Sequence, residues 1–122
     1  MLKDKKILVI DDTSSIRCFL QVVLEDEGSQ FYGAATANDG LALCKDIKPD
    51  LVILDLGLPD RDGLEVLPDL KALPAPQSPL VFILTVRKGN DIINMARAKG
   101  ADGYLSKPFI VEDLLEMISE QL

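Results

Sequence analysis

Ile7-Leu8-Val9-Ile10, Leu51-Val52-Ile53-Leu54 and Leu80 to Leu84 are short, unbroken apolar runs bounded by polar residues. Runs of this length without alternation are typical of strands buried on both faces. The first strand reads Lys6 to Ile10. Between the runs the spacing becomes helical: from Ser14 to Glu27, Ile16, Phe19, Leu20, Val23 and Leu24 share one face, with Thr13 or Ser14 as cap and Gly28 as stop. Gln30 to Ala35 is expected as a second strand. A helix follows from about Asn38 to Asp46, with Leu41, Leu43, Cys44 and Ile47 inward, and Lys48-Pro49-Asp50 breaks it.

Leu64 to Leu73 reads as a third helix in which Pro68 predicts a kink or a late start. A proline-rich loop, Pro74 to Pro79, precedes the fourth strand, Leu80 to Leu84. Asn90 to Lys99 is a helix ended by Gly100, Tyr104-Leu105-Ser106 a short fifth strand, and Val111 to Leu122 a last amphipathic helix. There is no repeat, linker or low-complexity tract.

Strands alternating with helices predict one α/β domain over residues 1–122, with a parallel sheet covered on both faces. Right-handed crossovers bring the carboxyl ends of all strands to one edge, where open sheets of this kind bind ligands. Asp11, Asp12, Asp55, Thr85 and Lys107 are each expected just past a strand end, so the topology gathers them there.

Composition narrows the chemistry. A chain of 122 residues with 48% apolar content can bury a real core, yet no stretch is long enough to span a bilayer. The charged start, Met1 to Lys6, is not a signal peptide, so a cytoplasmic protein with reduced Cys18 and Cys44 is expected. Two lone cysteines make a poor metal site, and Cys44 falls where a small hydrophobe is needed. The net charge of −7, without a basic stripe, argues against direct nucleic-acid binding. The absence of histidine excludes Ser-His-Asp and Cys-His catalysis, and neither GxGxxG nor GxxxxGK[ST] is present.

Carboxylates at the ends of buried strands oppose one another: at 4 Å the repulsion is about 1 kcal/mol in water and about 4 kcal/mol at an effective dielectric of 20. A Mg²⁺ ion turns that penalty into coordination. Asp12 and Asp55 are the expected direct ligands, with Asp11 acting through water or holding the geometry, and the Gly57 carbonyl supplying a further oxygen. A half-filled octahedral site of this kind suits a phosphate, and a carboxylate can attack phosphorus to give an acyl phosphate. The Lys107 ammonium and the Thr85 hydroxyl are placed to neutralise and position the transferring group.

The segments VIDD (Val9 to Asp12), LVILDLGLPDRDG (Leu51 to Gly63), FILT (Phe82 to Thr85) and KGADGYLSKPF (Lys99 to Phe109) closely resemble the receiver domains of two-component response regulators, in order and spacing, over essentially the whole chain. The resemblance implies a flavodoxin-like three-layer sandwich with five helices and strand order 2-1-3-4-5. It implies a phosphorelay role as a switch rather than a turnover enzyme. Asp55 would accept the phosphoryl group from a phosphohistidine of a sensor histidine kinase or histidine phosphotransfer protein, and the domain would then control an output partner or domain. Asp11 and Asp12 would hold Mg²⁺, with Mn²⁺ as a substitute. Lys107 and Thr85 would contact the phosphoryl oxygens, and Tyr104 would be the aromatic that moves inward with Thr85. The Lys107–Pro108 bond would be cis.

Some positions depart from that pattern. Val86 stands where a small residue is common and is expected to narrow the approach to the phosphoryl site. Gly57 and Arg87 occupy the variable positions flanking it, and Arg87 either reaches or shields the phosphate or serves only the surface. The acidic last helix lacks the basic residues with which DNA-binding regulators pair through this face. Two alternatives remain: a haloacid-dehalogenase-type phosphatase, which needs a second acid where Gly57 stands, and a phosphate-independent pseudo-receiver acting as an interaction module.

Overall fold

Strand and helix alternate through residues 2–73 and 78–122, the part of the chain that the computed structural model describes. The elements are β1 (Lys6–Ile10), α1 (Ser14–Asp26), β2 (Gln30–Ala34), α2 (Ala37–Ile47), β3 (Leu51–Leu54), α3 (Gly63–Lys71), β4 (Leu80–Thr85), α4 (Asn90–Ala98), β5 (Gly103–Ser106) and α5 (Val111–Gln121). Met1 and Pro74 to Gln77, most of the expected proline-rich loop, lie outside the described residues.

All strand pairs are parallel, in the order β2-β1-β3-β4-β5. Successive side chains of the central strands point to opposite faces, which is why those runs are apolar at every position. Leu8, Ile10, Val52, Leu54, Val81 and Ile83 pack under α2, α3 and α4 with Cys44, Leu67, Leu70 and Ala96. Ile7, Val9, Leu51, Ile53, Phe82 and Leu84 pack under α1 and α5 with Leu20, Leu24, Leu114 and Ile118. The three-layer sandwich is the architecture expected. Among the described residues no helix is long and apolar enough to cross a membrane.

Local expectations met several corrections. Thr13 is the N-cap residue of α1, but its side chain makes no capping bond; instead its N–H donates to Asp11 Oδ1 at 2.9 Å. The stop at Gly28 holds, with φ at +95°, a conformation few other residues adopt readily. In α2 the fully buried positions are the small Ala37, Gly40 and Cys44, whereas Leu41, Leu43 and Ile47 pack half-buried at the rim. The late start of α3 does not occur. Asp62 caps the helix at Gly63, and Pro68 sits inside it. The proline costs about 3 kcal/mol in a helix interior. Burial of Leu64, Val66, Leu67 and Leu70, at about 1.5–3 kcal/mol each, offsets that cost.

Candidate functional site

The sheet itself places the two buried acids. Asp11 N–H donates to the Ala34 carbonyl at 3.0 Å and Asp55 N–H to the Ile10 carbonyl at 2.9 Å, so both extend the ladder past the last named strand residue. Gly63 sets the other side of Asp55. A Cβ there would lie 2.6 Å from the Asp55 carbonyl oxygen and 2.6 Å from Leu56 Cα, so the start of α3 can press against the end of β3 only without a side chain.

Carboxylate oxygens of Asp11, Asp12 and Asp55 lie within 4.8 Å of one another. Asp11 and Asp55 are buried and Asp12 is exposed, which leaves one open side. Lys107 Nζ lies 2.6 Å from Asp11 Oδ2 and 3.6 Å from Asp55 Oδ2. Both Asp11 oxygens are therefore engaged, one by Lys107 and one by Thr13 N–H. Asp55 is less committed: among the described residues, its other oxygen accepts only a long bond, 3.4 Å, from Gly57 N–H. The donors are all hard oxygens, the set that suits Mg²⁺ and does not suit a soft metal.

Thr85, buried, is the last residue of β4 rather than a residue beyond it, and its hydroxyl oxygen lies 3.4 Å from Arg87 N–H. Lys107 N–H donates to the Thr85 carbonyl at 2.7 Å, and the Lys107–Pro108 peptide is cis. The Tyr104 hydroxyl donates to the Arg87 carbonyl at 2.7 Å. Burial raises the Tyr104 pKa, against a lowering by the nearby Arg87 charge. The Arg87 guanidinium pairs with Asp62.

Val86 faces outward, 68% exposed, on a groove of about 320 Å³ that it lines with Ile16, Phe19, Lys107, Pro108 and Phe109. Phe19 and Phe109 meet edge to face, with centroids 6.4 Å apart. Lys107 belongs to both this groove and the acidic cluster, so the two adjoin. Cys44 is buried and its thiol pKa is pushed up to about 11 by desolvation, whereas Cys18 is exposed.

Three residues that brace the site escaped the sequence reading. Arg17 donates from α1 to the Asp11 carbonyl at 2.7 Å. Asp60 accepts from the N–H groups of Ala37 and Asn38 at 2.8 and 2.9 Å, tying the loop after β3 to the start of α2. Those two bonds hold its carboxyl below the ordinary aspartate range. Asp62 caps α3 and pairs with Arg87. Only Asp62 left a local signal, an N-cap residue followed by Glu65 at the third helical position.

Residues 7–119 match the family model of the response regulator receiver domain. The chain belongs to this family. The receiver domain is 42% identical over 108 residues to the KDP operon transcriptional regulatory protein KdpE of Escherichia coli (strain K12), covering 88% of this chain and 47% of that protein. It is 31% identical over 121 residues to sporulation initiation phosphotransferase F of Bacillus subtilis (strain 168), covering 99% and 96%. The chain thus spans about half of the first relative and nearly all of the second. A CheY-like receiver domain protein from Methanospirillum hungatei JF-1 shares its structure with a TM-score of 0.90 and 33% identity, covering 98% of this chain and 94% of that one. Receiver domains are phosphoacceptor switches of two-component phosphorelays and bind Mg²⁺ at an acidic pocket, and Asp11, Asp12 and Asp55 make up such a pocket in this chain. Family membership displaces the phosphatase alternative.

Proposed function

We propose that Asp55 is the phosphoacceptor of this domain and that a phosphohistidine on a sensor histidine kinase or histidine phosphotransfer protein is the donor. The observation that carries this reading is the unequal use of two buried acids: Lys107 and Thr13 occupy Asp11, while Asp55 keeps an oxygen with only a 3.6 Å contact to Lys107. In the transfer, an Asp55 carboxylate oxygen bonds to phosphorus, the phosphorus–nitrogen bond breaks, and the imidazole leaves carrying its own electron pair. Lys107 balances the added charge on the phosphoryl oxygens. The Thr85 hydroxyl, whose proton is free to turn, donates to one of them.

Asp11, Asp12, Asp55 and the Gly57 carbonyl would hold Mg²⁺, or Mn²⁺ in its place, and the ion would neutralise charge on the transferring group. Thr85 and Tyr104, joined through Arg87, form the switch that reports the new charge of about −2 to an output partner or domain. The apolar groove beside Lys107 offers the donor protein a seat next to the acceptor. Val86 on its wall, with Gly57 and Arg87, tunes access. The domain promotes only its own phosphorylation and dephosphorylation, in the cytoplasm.

Incubation with Mg²⁺ and acetyl phosphate tests the assignment by intact mass. One phosphoryl group should be gained by the parent and none by Asp55→Asn. No gain by the parent, or a gain that survives the substitution, would leave a phosphate-independent interaction module as the better account.

A further inference from the structure

Arg87 is tied at three points. Its backbone N–H lies 3.4 Å from Thr85 Oγ1, its carbonyl accepts from Tyr104 at 2.7 Å, and its NH1 donates to both oxygens of Asp62 at 3.2 and 3.1 Å. Asp62 accepts from Leu64 N–H at 3.0 Å as the cap of α3, and its backbone faces Gly57 in an antiparallel bridge. A Cβ at Gly57 would meet no heavy atom within 4 Å, so this flank of the site has room and no side chain of its own. The ion pair thus joins the loop after β3 to the loop after β4, beside the strand ends that carry Asp55 and Thr85.

We propose that the Asp62–Arg87 ion pair is a positioning latch for the acyl phosphate, holding these two loops together and limiting the approach of water to phosphorus. The proposal rests on Asp55 as acceptor. In the step it restrains, a water oxygen bonds to phosphorus, the bond from phosphorus to Asp55 breaks, and the carboxylate is regenerated. Inorganic phosphate leaves, and the water's proton passes to it or to solvent. Neither latch residue touches the reacting atoms; Asp62 acts through Arg87, and Arg87 through the loop it pins. The pair is half-buried, so water and salt weaken it without abolishing it.

Asp62→Asn keeps a capping side chain and removes the charge, since Asn and Asp are comparable N-caps. Arg87→Gln removes the guanidinium, and Arg87→Lys keeps a cation. Each protein is loaded with acetyl phosphate and Mg²⁺, freed of donor, and followed by intact mass as the phosphoryl group is lost. Asp62→Asn and Arg87→Gln should each lose it about two- to fivefold faster than the parent, the span expected for a partly exposed pair. The double variant should be no faster than the quicker single, and Arg87→Lys should stay near the parent. Slower loss in Asp62→Asn, or additive effects in the double variant, overturns the latch.

Amide hydrogen exchange of the unphosphorylated proteins needs no phosphate. Exchange at residues 86–89 should quicken in both single variants while β4 is unchanged, and equal exchange in all proteins also overturns the latch. A parent that takes up no phosphoryl group would sink the acceptor reading and the latch's part in hydrolysis, and exchange alone would then decide whether the pair joins the loops.

Discussion

Replacing Lys107 with Met removes one positive charge and keeps most of the apolar stem. Its ammonium lies 2.6 Å from Asp11 and 3.6 Å from Asp55, with only 13% of the side chain exposed. At an effective dielectric of 20 these attractions are about 6 and about 5 kcal/mol before desolvation is counted. Two carboxylates at 4.8 Å, the limit of the cluster, repel by about 3.5 kcal/mol on the same scale. Breaking a buried pair by removing one partner costs about 3–5 kcal/mol; the exposed side at Asp12 lets water relieve part of this, so about 3 kcal/mol is expected. The same substitution removes a cation that repels Mg²⁺, so the variant should bind Mg²⁺ several-fold more tightly. Urea unfolding in EDTA and in saturating Mg²⁺ checks both. The variant should lose about 3 kcal/mol without the metal and markedly less with it. A loss under about 1 kcal/mol in EDTA, or an equal loss in both conditions, would refute the reasoning that Lys107 is the internal counter-charge of this cluster.

The groove makes Phe19→Ala selective: transfer from a phosphohistidine protein should slow about tenfold while uptake from acetyl phosphate is unchanged, as for an aromatic anchor at an interface. Equal effects on both donors would remove the groove from the docking surface. Val86→Ala should speed phosphorylation and dephosphorylation by about twofold, a small effect because the side chain is largely exposed, and rates matching the parent would refute a gating role. Asp60→Ala should lower the unfolding midpoint near neutral pH. Because its folded pKa is depressed, the Asp60 contribution is present above the ordinary aspartate pKa and fades as pH falls through the folded value. The gap between parent and variant should narrow in acid, and a gap independent of pH would show that the carboxylate charge is not what matters.

The central strands were legible because burial on both faces leaves an unbroken apolar signature, and the acids because they interrupt it. Topology then did the rest: once strands alternate with helices, Asp11, Asp55, Thr85 and Lys107 must share an edge. The errors lie where local chemistry competes with tertiary contacts. The Thr13 side chain leaves the α1 cap unmade, its backbone N–H donating instead to Asp11, and Pro68 stays helical because its neighbours are buried. Small residues on α2 take the innermost positions because a helix close to the sheet leaves little room there. Asp60 bonds to residues 22 and 23 positions away, and Asp62 pairs with Arg87 25 positions away; no local spacing encodes such contacts.

The amide of Asp55 is a rung of the sheet, bonded to Ile10, and its carbonyl is hemmed in by the start of α3. The proposed acceptor is therefore held by the sheet ladder itself. On the proposed reading, the stretch from Val86 to Gly89, where Arg87 is held by contacts to Thr85, Tyr104 and Asp62 rather than by the ladder, is the part left to answer the phosphoryl group.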